Sequence, residues 1–225
     1  MKLEDTFDVI GADVVAPPHI YTNSGKHTSA LRGRVFRRMM DVTIAVTAAP
    51  VVLFVAVVLI LLNPAFNPGP LFFRQKRMGK DCRSFMVWKF RTMRMAERPL
   101  RHVDDPLDSH RITRLGAILR KSRLDELPNL INVLRGEMAV IGPRPDAWDH
   151  AVVHIRTIPH YAKRFAVLPG ITGLAQVRAG YADDEKSIRR KARLDSFYVK
   201  RRSARLDATI VLATFAVMMT GFGGR

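Results

Sequence analysis

The chain has 225 residues and carries 37 Lys and Arg against 20 Asp and Glu, giving a formal net charge of +17. This length suits one domain with a peripheral element, and the charge favours anionic partners such as nucleic acid, an anionic membrane surface or phosphorylated substrates. A single cysteine, Cys82, excludes an intrachain disulfide and is compatible with a reducing compartment.

The N-terminal segment is polar and is interrupted by Pro17-Pro18 and by Asn23-Ser24-Gly25. It lacks the basic-then-apolar order of a secretory signal. We therefore predict that residues 1–31 form a flexible polar extension with no assigned function.

An uncharged run of 21 residues extends from Val42 to Leu62, and a membrane-crossing helix needs about 20. Arginines precede the run and a basic cluster within residues 74–83 follows it, so the positive-inside tendency places both flanks in the cytoplasm. Pro50 lies near the middle and favours a bend. We predict a re-entrant membrane helix over residues 32–68, bent at Pro50, with a plain transmembrane anchor as the alternative.

The remainder of the chain mixes strand and helix patterns. Short aromatic-rich runs at 71–73 and 85–90 predict strands, or interfacial segments, around a turn at 79–81. A leucine and isoleucine stripe over 112–119 predicts an amphipathic helix, and 208–222 suits a buried or interfacial helix. The fold class is therefore predicted as α+β and mostly helical, with a catalytic domain over residues 69–225.

The stretch from Ser122 to Arg144 is the most informative part of the sequence. Asp125 and Glu126 precede a helical apolar stripe, with Ser122 as the predicted N-cap and Gly136 as the predicted end. Pro128 is tolerated only in a first turn, so we predict that this helix begins near Asp125. Both carboxylates would then lie at the positive end of the helix dipole and stay ionised at neutral pH.

Two acids near the C-terminal end of the chain, Asp195 and Asp207, lie in or beside a strongly basic segment. For each of them a local salt bridge to Arg189, Arg190 or Arg201 is the favoured interpretation over direct chemistry.

Six blocks in a fixed order, from about Arg34 onwards, resemble the bacterial sugar transferases of the monotopic phosphoglycosyl transferase family. They are GPLFFRQKRMG at 69–79, WKFRTM at 88–93, RITRLG at 111–116, LDELPNLINVLRGEM at 124–138, IGPRP at 141–145 and LPGITGLAQV at 168–177. The resemblance implies a membrane helix bent at a Ser-Pro pair, which here reads Ala49-Pro50. It also implies a monotopic protein on the cytoplasmic face of the bacterial inner membrane, with interfacial amphipathic helices.

The resemblance further implies which residues form the site. Asp125 would be the nucleophile that attacks the sugar-linked phosphorus of a UDP-sugar, expels UMP and passes the sugar phosphate to polyprenyl phosphate. Mg²⁺ held by Glu126 would compensate the diphosphate charge. The implied substrate-binding residues are Lys89, Arg91, Pro143, Arg144, Pro145, Gly170, Thr172, Gly173, Gln176 and Arg178.

Two of these assignments depend on local sequence. The glycines of the 169–173 turn expose backbone amides that can approach a phosphate closely. Arg178 replaces the arginine of an Asn-Gly-Arg sequence that many family members carry two residues later. The resemblance leaves open which arginine serves the pocket.

The partners expected from this resemblance are a UDP-sugar, polyprenyl phosphate and anionic membrane lipid, without nucleic acid. Two alternatives from other classes are a membrane-tethered nucleic-acid binder, which the charge would suit, and a non-catalytic membrane scaffold. Sparse aromatic residues in the basic segments argue against the first. The sequence leaves open the sugar, the pathway and a homo-oligomeric state.

Overall fold

A computed structural model describes residues 27–95, 109–180 and 184–220. These residues are mostly helical with a few strands, which confirms the predicted α+β class. Their helices are α1 (His27–Phe66), α2 (Arg114–Lys121), α3 (Asn129–Arg135), α4 (Trp148–Thr157), α5 (Leu174–Ala179), α6 (Glu185–Arg201) and α7 (Ala204–Thr220). Their strands are β1 (Phe72–Met78), β2 (Ser84–Phe90), β3 (Ala139–Ile141) and β4 (Gly170–Thr172).

The boundary predicted at residue 32 falls inside α1, which already includes residues from His27 onwards. The rest of the predicted N-terminal extension lies outside the described residues. The long helix ends at Phe66, close to the predicted end at residue 68.

Strands β1 and β2 form an antiparallel hairpin whose turn contains the 3-10 turn Lys80–Cys82. This confirms the predicted strands around that turn, although β1 is longer than expected. Opposite residues share a face of the sheet, and the register pairs Phe73 with Lys89 and Arg77 with Phe85. The basic side chains of Lys89 and Arg77 therefore project from the same face of the hairpin.

Strands β3 and β4 form a short parallel pair that joins two distant loops. Ala139 pairs with Gly170 and Ile141 pairs with Thr172. The turn that follows β3, residues 142–145, is thereby brought against the loop that contains residues 168–173.

Helix α1 packs on the domain near both of its ends. In its N-terminal part, Arg37 forms an ion pair with Asp207 of α7 at 3.2 Å, and Ala45 is buried in a cluster with residues of β2 and α3. In its C-terminal part, Leu59 is 4% exposed in a cluster with Phe90 and Leu119. The same body of the protein therefore contacts both halves of the helix.

The helix predicted to begin near Asp125 begins later. Leu124–Glu126 forms a separate 3-10 turn, Pro128 is the N-cap of α3, and Gly136 ends that helix in the left-handed conformation with φ 78°. Ser122 is the C-cap of α2 rather than the N-cap of α3. Its hydroxyl donates to a carbonyl of the preceding turn, so it completes the earlier helix.

Candidate active site

The predicted acid pair lies in the 3-10 turn between α2 and α3. Arg123, immediately before the turn, adopts a left-handed conformation with φ 61°, which reverses the chain after α2. Both Asp125 and Glu126 are 8% exposed. Because α3 begins only at Asn129, the two acids do not belong to its first turn, and the predicted placement in the helix dipole is wrong.

Glu126 is held by two cations that come from different parts of the chain. Lys89 at the end of the hairpin donates from Nζ to Glu126 Oε1 at 3.0 Å. Arg144 donates from Nη1 to Glu126 Oε2 at 2.9 Å and from Nη2 to Oε1. Burial opposes ionisation of Glu126, but Arg144 and Lys89 outweigh it and hold its pKa well below the usual value. Glu126 is therefore an anion fixed between two basic groups.

Asp125 has a different environment although it is the next residue. Its Oδ1 is buried and has no hydrogen-bond partner among the described residues. Burial raises the pKa of Asp125 above its ordinary value, and the negative charge of Glu126 adds to that shift. Asp125 thus has a carboxylate oxygen that can contact an incoming group, whereas both oxygens of Glu126 already accept hydrogen bonds from Lys89 and Arg144.

Arg77 belongs to this group although the sequence did not single it out. Its Nη1 donates to the Pro145 carbonyl at 2.8 Å, directly after Arg144. Its charge also contributes to lowering the pKa of Lys89, behind the dominant effect of burial. The alternation of side chains along β1 and β2 is the signal that could have found it, because that alternation places Arg77 on the face of Lys89.

A second cluster of charged residues fixes the backbone at Arg144. The Arg164 guanidinium, 1% exposed, donates from Nη2 to the Arg144 carbonyl at 2.6 Å and pairs with Asp146 and Asp195. Asp146 also accepts from Lys191 and from Tyr161. The local salt bridges predicted for Asp195 and Asp207 are wrong, because Asp195 pairs with Arg164 and Asp207 pairs with Arg37, which are distant in the sequence.

Arg91 has a structural role in this fold instead of the predicted phosphate contact. All three of its guanidinium nitrogens donate to the chain nearby, including Nε to the Pro70 carbonyl at 2.7 Å and Nη1 to Asn67 Oδ1 at 2.9 Å. The side chain is buried, with the residue 5% exposed. Arg91 therefore fixes the connector after α1.

The glycine loop also differs from the prediction. The Gly170 amide donates to the Pro143 carbonyl at 2.9 Å, so it is not available to a phosphate. A Cβ at Gly170 would lie 2.1 Å from the Gly142 nitrogen, and one at Gly173 would lie 2.2 Å from the Gly142 oxygen. These glycines allow two backbone segments to approach closely and thereby fix the turn that carries Arg144.

The other predicted substrate-binding residues differ in burial and in their contacts. Pro143 and Pro145 are buried on either side of Arg144 and restrict its backbone. Thr172 bonds through its hydroxyl to Thr214 of α7 at 2.8 Å, and Gln176 donates to the Ile171 carbonyl at 3.0 Å. Arg178 is exposed in the last turn of α5, and the described residues give it no hydrogen bond.

The donor atoms at the acid pair fit a hard cation such as Mg²⁺, which takes one or two carboxylates and completes its shell with water and substrate phosphates. Asp125 Oδ1 and, four residues later, Asn129 Oδ1 are buried oxygens without hydrogen-bond partners among the described residues. The described residues contain no group of three His, Cys, Asp or Glu placed to hold a metal. The protein alone thus supplies a partial ligand set.

Comparison with known proteins identifies the family of the chain. The model of the bacterial sugar transferase family matches residues 32–221, so the chain belongs to that family. It is 41% identical over 194 residues to an Aeromonas hydrophila protein named UDP-N-acetylgalactosamine-undecaprenyl-phosphate N-acetylgalactosaminephosphotransferase, covering 84% of this chain. The chain spans 45% of the length of that relative.

Two further relatives are similar over most of the chain. A Rhizobium leguminosarum bv. phaseoli exopolysaccharide production protein is 38% identical and is covered over 96% of its length, with 83% of this chain aligned. A Caulobacter vibrioides protein named UDP-glucose:undecaprenyl-phosphate glucose-1-phosphate transferase is 39% identical, with 82% of this chain and 70% of the relative aligned.

Proposed function

We propose that this protein transfers a sugar 1-phosphate from a UDP-sugar to polyprenyl phosphate with release of UMP. The observation that carries the proposal is the pairing of a buried aspartate oxygen lacking a partner with a neighbouring glutamate held by two cations. An enzyme that exchanges phosphoryl groups needs a nucleophile and fixed positive charge in one pocket. Asp125, Lys89 and Arg144 meet that need, and Arg77 adds a further cation beside them.

In the first step a carboxylate oxygen of Asp125 attacks the sugar-linked phosphorus. The bond from this phosphorus to the bridging oxygen breaks, and UMP leaves with the electron pair. The product on the protein is an acyl phosphate that carries the sugar. Lys89 and Arg144 stabilise the negative charge that grows on the phosphate oxygens, and the bidentate geometry of Arg144 suits that charge.

In the second step an oxygen of polyprenyl phosphate attacks the same phosphorus and the Asp125 carboxylate leaves. Polyprenyl diphosphate sugar is released and Asp125 returns to its initial state. Two displacements allow one pocket to serve a soluble donor and a lipid acceptor in turn. If bound at the Asp125 and Asn129 oxygens that have no partner among the described residues, Mg²⁺ would neutralise part of the diphosphate charge. Glu126, the ligand expected from the sequence, has both oxygens engaged by Lys89 and Arg144.

Membrane association is supported by α1. The segment Gly33–Phe66 is long and apolar enough to cross a membrane, and little of its most apolar part is buried in the protein. Its outward side chains include Leu53 at 67% exposed, Phe54 at 69% and Leu61 at 75%. Exposed apolar area of this extent indicates contact with lipid.

We propose further that α1 enters one leaflet and returns, with a bend at Pro50, so that the domain lies on the cytoplasmic face of the inner membrane. Contacts on both sides of Pro50 support this topology. Arg37 and Ala45 before the proline and Leu59 after it all pack on the same domain. A helix that crossed the bilayer would carry one of those ends to the opposite side.

The surface around α1 is suited to an anionic membrane. Exposed apolar residues of α7, with Leu212 at 71% and Phe215 at 63%, extend the apolar surface, and Ile118 of the amphipathic α2 is 64% exposed. Exposed basic residues, Arg34 before the apolar run and Arg74 in the hairpin, would attract anionic headgroups.

The reaction is tested by measuring UMP release from a panel of UDP-sugars, with purified protein, undecaprenyl phosphate and Mg²⁺ in detergent. The panel should contain UDP-glucose, UDP-galactose and their N-acetylamino forms. We expect UMP release with at least one donor and a mass adduct of sugar phosphate on the protein when the lipid is omitted. Salt-sensitive nucleic-acid binding without UMP release from any donor would support the nucleic-acid alternative instead.

A further inference from the structure

The side chain of Asn132, on α3, contacts the backbone of strand β2 at two points. The Trp88 amide donates to Asn132 Oδ1 at 3.1 Å, and Asn132 Nδ2 donates to the Met86 carbonyl at 2.7 Å. Backbone groups of alternate residues point to the same edge of a strand. Because β2 belongs to a two-stranded sheet with β1, the carboxamide of Asn132 takes the place of a third strand at its other edge.

The orientation of the Asn132 carboxamide is determined by its partners. The residue is 0% exposed, and its Nδ2 also donates to Glu137 Oε2 at 2.6 Å. A reversed carboxamide would place its oxygen against two acceptor oxygens and its nitrogen against the Trp88 amide, which is a donor. One orientation alone therefore satisfies the three contacts, and it fixes β2 relative to α3.

The residue after Trp88 is Lys89, whose ammonium belongs to the candidate active site. Its Nζ donates to Glu126 Oε1 at 3.0 Å, and its side chain is 17% exposed. Glu126 lies in the 3-10 turn that leads into α3. The strand that carries Lys89 and the helix that follows Glu126 are therefore joined twice, by this ion pair and by Asn132.

Apolar packing between the same two elements does not by itself set their relative position. Val87 of β2 lies in one buried cluster with Leu130 and Val133 of α3. The hydrophobic effect is non-directional, so such contacts permit the strand to shift along the helix. Hydrogen bonds have preferred lengths and angles, and the two bonds from Asn132 to β2 therefore restrict that shift.

The other cation of the site is fixed by different parts of the protein. The carbonyl of Arg144 accepts from Arg164, and the carbonyl of Pro143 accepts from the Gly170 amide. The position of Lys89 thus depends on the contact between β2 and α3, whereas the position of Arg144 depends on the loops around its own turn.

We propose that Asn132 is a positioning residue for Lys89, which it holds where the ammonium contacts Glu126 and the phosphate groups of the donor. This inference rests on the proposed function, in which Lys89 stabilises the charge that grows on those phosphate oxygens. A misplacement of about 1 Å can cost about 100-fold in rate. Loss of the two-point contact should therefore slow the first displacement, although Asn132 itself does not touch the substrate.

The first test is Asn132→Asp, which keeps the size of the side chain and the acceptor for the Trp88 amide. It replaces the Nδ2 donor by an oxygen that faces the Met86 carbonyl and the Glu137 carboxylate, so both contacts become repulsive. We expect the rate at which the UDP-sugar alone forms the sugar-phosphate adduct to fall by about tenfold or more. The rate is measured by intact mass at a temperature well below the Tm of the variant.

Ile210→Ala is the control for lost stability. Ile210 is 0% exposed and packs in a separate cluster with Leu174 and Tyr198. Its truncation should lower the Tm and leave the rate of adduct formation nearly unchanged. If Asn132→Asp behaves in the same way, Asn132 has a stabilising role only and the proposal is overturned.

A double-mutant cycle with Lys89→Met distinguishes positioning from general damage. Two residues that act through one contact have effects that do not multiply. In the Lys89→Met background, Asn132→Asp should therefore slow adduct formation by less than about twofold. Full multiplication of the two effects would show that Asn132 does not act through Lys89.

Rescue by Glu137→Gln tests the assigned hydrogen bonds. Alone, this change keeps an acceptor for Asn132 Nδ2 and should alter the rate little. Combined with Asn132→Asp, it removes the facing negative charge and supplies an amide donor, so part of the lost rate should return. Failure to recover any rate would contradict the contact between the two side chains.

Glu137→Ala keeps the inference testable if Asn132→Asp fails to fold. It removes one acceptor of Asn132 Nδ2 and leaves the contacts with β2, so a smaller fall in the adduct rate is expected, and that fall should disappear in the Lys89→Met background. A wild-type protein that forms no adduct would refute the proposed function. An adduct whose rate of formation is insensitive to these variants would refute only the positioning role of Asn132.

Discussion

The guanidinium of Arg144 and the carboxylate of Glu126 form a two-point pair, with Nη1 donating to Oε2 at 2.9 Å and Nη2 donating to Oε1. Lys89 donates to that same Oε1 at 3.0 Å. The neighbouring residue, Asp125, has a different environment. Lys89 and Arg144 both bind Glu126, whereas Asp125 keeps a buried oxygen, Oδ1, that has no hydrogen-bond partner among the described residues. Adjacent acids thus have separate roles.

Asp125→Asn should abolish turnover, since an amide of the same size cannot form the acyl phosphate. Intact-mass measurement after incubation with the UDP-sugar alone should show no adduct. Glu126→Gln should also be severely impaired, because Lys89 and Arg144 lose the anion that fixes them. Near-normal turnover in Asp125→Asn would refute the proposed mechanism.

Arg144→Lys should lose most activity although the charge is conserved. An ammonium cannot reproduce the two parallel hydrogen bonds that Arg144 makes to Glu126. Steady-state kinetics with the UDP-sugar would measure the loss, and Arg190→Lys is a matched control because Arg190 is exposed on α6. Wild-type kinetics in Arg144→Lys would show that turnover does not need the two-point contact of Arg144.

Local sequence patterns mark some elements of this protein, whereas the residues whose roles depend on tertiary contacts carry no such mark. The proline at 128 and the glycine at 136 identified α3 and its end, and the aromatic runs identified the hairpin. The pattern could not show that Arg91 is buried or that Gly170 packs against Gly142, because both depend on segments distant in the chain. A loop with the same glycines could equally have been exposed to solvent and have bound a phosphate.

The cluster behind Arg144 was equally hidden. Arg164, Asp146 and Asp195 are far apart in the sequence, and a charged residue taken alone is typical of the protein surface. Their burial arises because α6 packs on the turn Tyr161–Ala166. Without that contact, a basic stretch predicts a helix face exposed to solvent. The partners predicted for Asp195 were therefore arginines nearby in the sequence.

Asp146→Asn should destabilise the protein in a pH-dependent manner. Burial opposes ionisation of Asp146, but Arg164 and Lys191 outweigh it and hold its pKa well below the ordinary value of 3.8. A depressed folded-state pKa contributes stability above the unfolded pKa, and this contribution is lost as the pH falls towards the folded value. Removing one partner of a buried ion pair costs about 3 to 5 kcal/mol.

Thermal unfolding in detergent at pH 7 and again below pH 3.8 measures this effect. The Tm difference between wild type and Asp146→Asn should be large at pH 7 and should shrink at the lower pH. Asp149→Asn is the control, because Asp149 lies exposed on α4. A Tm difference that is constant with pH would show that the ion pairs of Asp146 are not the cause.

Gly170→Ala should lower stability rather than weaken phosphate binding. The added Cβ would lie 2.1 Å from the Gly142 nitrogen, so the two loops must separate. Overpacking of this kind costs about 1 to 3 kcal/mol. Gly33→Ala is the control, because a Cβ there meets nothing within 4 Å. A variant with unchanged Tm and a raised KM for the UDP-sugar would restore the phosphate-loop interpretation.

The topology prediction concerns the two ends of the apolar segment. Arg37 and Leu59 contact one domain from opposite sides of Pro50, so both ends of α1 should lie in the cytoplasm. Single cysteines at Gly33 and Lys80, in a Cys82→Ser background, should both resist a membrane-impermeant thiol reagent in intact cells. Both should react once the cells are opened, since both positions are exposed in the structure. Labelling of the Gly33 site alone from outside would establish a complete crossing.

Pro50→Leu restores the hydrogen bond that a helical proline removes, over a stretch long enough to span the bilayer. That variant should therefore expose the Gly33 site to the external reagent in a fraction of the molecules. If it kept both ends inside and stayed fully active, the contacts of Arg37 and Leu59 with the domain, rather than the proline, would determine the topology.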